Sequence, residues 1–174
     1  MSLYYRPDLP AVASEQLGGV MRLAYECRQA DLALFLEPRL YAVRELERDG
    51  WEYARKKPEL VSDAVQQLAR LPVDVLKVGF PADMSYVVDE GALRHACEQV
   101  TEAAGIPWVL LSGGVSFEVF LRQLEIACRA GASGFIAGRA LWQEAVAMPT
   151  KDRLRFLETT AVERLDRLVA VARE

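Results

Sequence analysis

Short runs that are apolar throughout alternate with longer stretches whose apolar residues recur every three or four positions, and this alternation limits the chain to very few architectures. The apolar runs are residues 32–37, 73–80, 108–111 and 134–137. They lack the polar alternation of a half-exposed strand and so read as strands buried on both faces. Residues 3–5 read as the tail of an earlier strand. In the intervening stretches, Leu60, Val61, Ala64, Val65, Leu68 and Leu71 follow a helical period. Residues 14–30 read as a helix, and another starts near Asp89 and ends at Gly105 with Pro107 close behind. Ser116 is placed to cap a further helix carrying Phe117, Phe120, Leu121 and Leu124, with Gly131 as its stop. A last helix runs from about Asp152, with Leu154, Leu157, Ala161, Leu165, Leu168 and Ala172 on one stripe. Strands separated by helices pair in parallel through right-handed crossovers. Five of them make either an open doubly wound sheet or part of a barrel. No Pro-, Gly- or Ser-rich linker divides the sequence, so residues 1–174 are expected to form a single domain.

Charge and cysteine usage narrow the function classes. Lys plus Arg number 21 and Asp plus Glu 25, a net charge of −4. A mildly acidic chain has no global attraction to nucleic acid or an anionic membrane, so any anion site has to be local. No apolar run is long enough to span a bilayer, and residues 1–6 lack the regions of a signal peptide. Cys27, Cys97 and Cys128 are odd in number, far apart and in helical patterns, as expected of reduced thiols in a cytoplasmic protein. One histidine and three scattered cysteines do not make a transition-metal ligand set. No metal or other cofactor is expected.

Four features fall where strands end and helices begin, the edge at which parallel α/β enzymes hold their sites. Lys77 lies in the apolar run Asp74-Val75-Leu76-Lys77-Val78-Gly79-Phe80-Pro81. Burial disfavours a charged amine, and a desolvated lysine is a nucleophile toward carbonyls; alternatively, Lys77 snorkels to solvent or pairs with an acid. Glu37 ends the run Leu34-Phe35-Leu36-Glu37, placed to hold a lysine or move a proton, or simply to pair with Arg39. Leu111-Ser112-Gly113-Gly114-Val115-Ser116 and Ile136-Ala137-Gly138-Arg139-Ala140 are successive strand-glycine-helix turns. Glycines let backbone N–H groups approach an anion, and Arg139 adds a guanidinium to pair with phosphate oxygens. Residues 39–57, charged and carrying Trp51 and Tyr53, read as a long connection at the site's mouth, with Arg55, Lys56 and Lys57 a solvated cluster. His95 reads as structural, Trp108 and Trp142 as packing residues, and Tyr4, Tyr5 and Arg6 as ending a strand on the catalytic side.

The strings at 74–81, 111–116 and 138–142 resemble the tagatose 1,6-bisphosphate aldolase family. So do Leu3-Tyr4-Tyr5-Arg6-Pro7-Asp8, Tyr25-Glu26-Cys27 and Leu34-Phe35-Leu36-Glu37, in the same order over almost the whole chain. The resemblance implies a (β/α)8 TIM-barrel type of fold. This chain would cover about strands 4 to 8, a partial barrel forming the C-terminal part of an aldolase. It implies a class I, metal-independent cleavage of a ketose bisphosphate such as tagatose 1,6-bisphosphate to dihydroxyacetone phosphate and glyceraldehyde 3-phosphate. Lys77 would form the Schiff base and Glu37 would assist it. Ser112, Gly113, Gly114, Gly138 and Arg139 would hold a substrate phosphate. Two departures stand out: the family chain is about twice as long, with a further lysine on the fourth strand, and the family has an acid two positions after the Schiff-base lysine, where this chain has Gly79.

Three other readings remain open: an aldolase for sulfonated sugar phosphates, a non-catalytic sugar-phosphate-binding partial barrel, and a sugar-phosphate isomerase. A partial barrel has unpaired edges, so its expected partner besides a phosphorylated ketose is a second copy, as a homo-oligomer, or a complementary N-terminal barrel portion.

Overall fold

The computed structural model describes residues 1–43 and 50–173. Five parallel strands, β1 (Ser2–Tyr4), β2 (Phe35–Arg39), β3 (Val75–Gly79), β4 (Trp108–Leu111) and β5 (Phe135–Ile136), form a sheet in the order β1-β2-β3-β4-β5. That order separates the two architectures the sequence left open. A doubly wound sheet reverses direction at a switch point, whereas a barrel adds each strand beside the last. Helices α1 (Pro10–Gln29), α2 (Trp51–Leu68), α3 (Glu90–Ala104) and α4 (Phe117–Arg129) fill the crossovers. Beyond β5 come α5 (Arg139–Trp142), a 3-10 turn (Gln143–Ala147), α6 (Thr150–Glu158) and α7 (Thr160–Ala172).

The helices cover one face of the sheet. Leu36, Leu76, Val78, Trp108 and Leu110 are buried beneath them. Their strand neighbours Val75, Lys77, Val109 and Leu111 are only half-buried, and Tyr4, Phe35 and Ile136 are exposed. The expectation of burial on both faces is therefore corrected. Apolar residues on the second face line the concave side, which a closed eight-strand barrel fills with layers of side chains. Five strands leave that side open.

Local chemistry sets most element boundaries. The first helix begins at Pro10, four residues before the expected start, because proline's fixed φ and missing N–H suit the first turn. β2 starts later than the apolar run and continues through Pro38. The β1 side of β2 is bonded through Glu37 N to Met1 O (2.9 Å) and Tyr5 N to Arg39 O (3.0 Å). The missing Pro38 N–H would face β3 beyond Leu36↔Leu76, the last registered pair, so no ladder bond is lost. Asp89 caps α3 by accepting from Ala92 N. Ser116 stands at the α4 cap position, but its hydroxyl makes no cap bond.

Further expectations are revised. α2 starts at Trp51 and takes in Arg55, Lys56 and Lys57, leaving a shorter connection whose residues 44–49 lie outside those described. The last helix is two helices, broken at Thr159 (φ −116°, ψ −78°), and of its expected stripe only Leu168 is buried. Trp108 is a core residue whose Nε1–H donates to Thr101 Oγ1 (3.0 Å), while Thr101 donates to Ala130 O (2.6 Å), tying β4, α3 and the end of α4 together. Trp142 is 41% exposed and is not a core residue. No helix among the described residues is long and apolar enough to cross a membrane.

Candidate active site

Parallel register puts the chemically distinctive residues in one row across the concave face. Ser2 pairs with Glu37, Phe35 with Val75, and Lys77 with Val109. Carrying the β2–β3 register on by two residues levels Glu37 with Lys77. Lys77 Nζ donates to Glu37 Oε2 at 2.9 Å, and Ser2 Oγ donates to the same oxygen at 2.8 Å. Both side chains of the ion pair are largely covered, Lys77 at 24% and Glu37 at 15% exposure. Lys77 is thus paired with an acid, and its partner comes from a different strand 40 residues away. Arg39 Nε lies 3.8 Å from the other Glu37 oxygen, and its guanidinium sits 5.0 Å over the Tyr4 ring. Burial by itself pushes the Glu37 carboxyl up. The hydrogen bonds from Lys77 and Ser2 and the charges of Lys77 and Arg39 together outweigh it, so Glu37 ionises below the usual carboxylate value.

The two glycine turns meet through Arg139. Ser112 is buried and receives Val115 N on its carbonyl (3.2 Å), closing the turn after β4. Gly113 and Gly114 have φ of +61° and +91°. Arg139 Nη2 approaches Gly113 O at 3.5 Å, and a Cβ on Gly114 would stand 2.9 Å from the Arg139 Cζ. The backbone angle at 114 favours glycine, and any Cβ there would make the Arg139 guanidinium shift from its present place. Gly138 immediately precedes α5, and the Trp142 indole nitrogen lies 3.9 Å from where a Gly138 Cβ would be.

A cavity of about 550 Å³ opens at the C-terminal ends of the strands, within the size range of small-molecule sites. Glu37, Arg39, Ser112, Gly113 and Arg139 line it. Lys77, Gly114 and Gly138 are not lining residues themselves; Lys77 is bonded to Glu37, which is. Gly79, one alternation above Lys77, also lines the cavity, and nothing stands within 4 Å of where its Cβ would be.

Three participants were not singled out as site residues from the sequence: Ser2, Tyr53 and Lys57. Tyr53 and Lys57 line the cavity together with Val61 and Ala64. Their spacing of four, four and three residues places them on one face of α2, and that period was the signal available. Lys57 Nζ donates to Ala82 O at 3.2 Å. Burial lowers its pKa, and the Asp83 charge opposes the shift.

Some expected neighbours lie away from the site. Tyr5 is fully buried and donates to Gln67 Oε1. Arg6 is buried in a bidentate pair with Asp8 (2.7 Å) and donates to Tyr41 O (2.6 Å). Tyr5 and Arg6 thus fasten the β1–α1 connection. His95 is exposed on α3, 3.8 Å from Glu98.

Comparison with known proteins agrees with this architecture. A solved archaeal fructose 1,6-bisphosphate aldolase superposes with a TM-score of 0.58 at 23% identity, over 86% of this chain and 52% of that one. A protein named tagatose 1,6-diphosphate aldolase from Listeria monocytogenes serotype 4a is 31% identical over 95% of this chain and 54% of its own length. One of the same name from Staphylococcus aureus is 32% identical over 99% of this chain and 58% of its own length. The chain thus spans about half the length of the curated relatives it matches. The model of the DeoC/LacD family aldolases matches residues 1–144, and the chain belongs to that family.

Proposed function

We propose that this chain carries the Schiff-base part of a class I aldolase acting on a ketose bisphosphate, with tagatose 1,6-bisphosphate the substrate its relatives' names suggest. The observation that supports this most directly is the Lys77–Glu37 pair, 2.9 Å apart beside a cavity whose far wall is the Ser112–Arg139 turn pair. The Lys77 ammonium gives up a proton to water, Glu37 holds the amine in place by accepting its N–H, and the nitrogen attacks the ketone carbon. Loss of water gives an iminium, which draws electrons from the adjacent carbon–carbon bond. A base takes the hydroxyl proton on the far side of that bond. The bond breaks, its electron pair forms an enamine, and glyceraldehyde 3-phosphate leaves. Protonation of the enamine carbon and hydrolysis of the resulting iminium release dihydroxyacetone phosphate and restore the Lys77 amine. Backbone N–H groups of the Gly113–Gly114 and Gly138 turns, with Ser112 and Arg139, hold the phosphate on the three-carbon unit.

Borohydride reduction in the presence of dihydroxyacetone phosphate tests the reading, on the chain alone and together with the N-terminal portion of a family member. Peptide mapping is expected to find the reduced adduct on Lys77 and none in Lys77→Met. An adduct on another lysine would overturn the assignment, and no adduct in either preparation would overturn the mechanism.

A further inference from the structure

Among the described residues, Arg39 and Lys57 are the cavity cations that the aldol steps above do not use; Arg39 is half-exposed and lies beside Glu37, whereas Lys57 is desolvated. Lys57 projects from the second turn of α2, and with Tyr53, Val61 and Ala64 it forms the cavity wall on that side. An ammonium has three N–H donors. One reaches the Ala82 carbonyl at 3.2 Å. The acidic group facing it from the β3–α3 connection is Asp83, whose Oδ1 already accepts from Ser85 N at 2.9 Å. A carbonyl and a partly engaged carboxylate are thin compensation for a largely desolvated charge, and its lowered pKa reflects that. An anionic ligand group would supply the missing partner.

The charge of the cavity points the same way. The whole chain carries −4, yet among the described residues Arg39, Lys57 and Arg139 line this space with one carboxylate, Glu37, which is already engaged by Lys77. Lys57 stands on α2, the β2–β3 crossover, and the Arg139 guanidinium lies against the turn after β4. One to two strand spacings of about 4.8 Å separate them, on the order of 5–10 Å. A six-carbon chain bearing an anion at each terminus has that reach.

We infer that Lys57 binds a second anionic substituent of the ligand, at the end of the cavity away from Arg139, and thereby selects bis-anionic over mono-anionic sugar phosphates. The inference rests on the proposed reading of the Arg139 turn as the first phosphate site.

Calorimetric titration of the chain with hexitol 1,6-bisphosphate and hexitol 1-phosphate tests it. Both ligands lack the ketone and cannot react with Lys77. Lys57→Met keeps the length of the stem and removes the charge, and it is expected to weaken bisphosphate binding about 10-fold or more, the scale of a charge-assisted hydrogen bond. Monophosphate affinity should change less than about 2-fold, and Lys57→Arg should restore most of the loss. Equal weakening of both ligands would show that Lys57 only ties the β3–α3 connection and would overturn the inference, as would unchanged bisphosphate binding. Arg139→Ala separates the two levels, because it should weaken both ligands. If it does and Lys57→Met has no selective effect, the inference alone falls. If wild type binds neither ligand, or Arg139→Ala weakens neither, the first phosphate site falls with it.

Discussion

Glu37 accepts two hydrogen bonds on one carboxylate oxygen while a guanidinium lies near the other. Its folded-state pKa is therefore below the unfolded value. A depressed carboxyl adds stability that is fully present above the unfolded pKa and is lost as pH falls through the folded one. Glu37→Gln is expected to cost about 1–2 kcal/mol at pH 7, the worth of a charge-assisted hydrogen bond that is partly solvated. The gap from wild type should begin to narrow near the ordinary carboxylate value of about 4 and close only as the pH falls through the lower folded pKa, where the wild-type carboxyl protonates too. Urea denaturation at pH 7 and pH 3 measures both, and an equal gap at the two pH values would show that the charge is not its source. A second residue-scale prediction concerns Gly114. Gly114→Ala strains a backbone at a φ of +91° and displaces the Arg139 guanidinium that now lies where the Cβ would be. It should destabilise the chain by roughly 1–3 kcal/mol and weaken phosphate binding about as much as Arg139→Ala does. Denaturant midpoints and phosphate titration check the two effects, and normal phosphate binding by Gly114→Ala would mean that Arg139 does not need its present position.

At the scale of elements, α7 shows how periodicity and burial diverge. Leu165 and Leu168 belong to one predicted stripe, yet Leu168 is fully buried and Leu165 is 41% exposed. The break at Thr159 changes the direction of the chain, and α7 then docks on α4, where Arg167 reaches Glu118 (3.1 Å) and Arg164 and Arg167 lie over the Phe117 ring. Leu168→Ala is expected to cost about 2–5 kcal/mol through lost burial and a cavity, and Leu165→Ala within about 0.5 kcal/mol. Thermal or urea unfolding of the two variants distinguishes them, and equal losses would mean that both leucines are packed. α3 offers a different probe. Cys97 sits on its fully buried face and its thiol is pushed up to about 12, first by burial and then by the Glu98 charge. Iodoacetamide should leave Cys97 unmodified at pH 8 until denaturant unfolds the chain, because the thiolate is the nucleophile. Rapid labelling of Cys97 in native buffer would show that α3 opens locally.

For the whole molecule, five strands in sequential order leave β1 and β5 each paired on one side, and the concave face exposes Tyr4, Phe35 and Ile136. Unpaired strand edges invite pairing with another chain. Apolar surface is worth about 25 cal/mol per Å² when buried, a large fraction of a typical stability of roughly 5–15 kcal/mol once a few such side chains are counted. The 174-residue chain by itself is therefore expected to self-associate or to be only marginally stable, and to show little aldolase activity. A complementary N-terminal barrel portion that covers the edges should raise both its stability and its activity. Size-exclusion chromatography with light scattering, followed by an aldol-cleavage assay, measures this. A stable, fully active monomer would contradict it.

Periodicity and turn residues sufficed to place the helices and strands approximately, because a side chain's preference for a pleated or helical surface acts over a few residues. Lys77, Glu37 and the two glycine turns also stood out locally: a charged or glycine residue at the end of an apolar strand is conspicuous without any knowledge of its neighbours. Contacts between distant segments were a different matter. That Lys77 meets Glu37, with Ser2 on the same oxygen, follows from strand register across three strands, and register is a property of the sheet. That Arg139 lies on Gly114 depends on two βα turns converging. Lys57 looked like a solvated charge because its neighbours Arg55 and Lys56 are charged; only the packing of α2 over the strand ends turned it toward the cavity. One-sided burial of the sheet was likewise invisible, since an apolar side chain reads the same in sequence whether helices or an unfilled barrel interior face it. Sequential strand order, the finding that separated a partial barrel from a doubly wound sheet, is fixed by which neighbour each strand pairs with, and that choice is made by the whole fold.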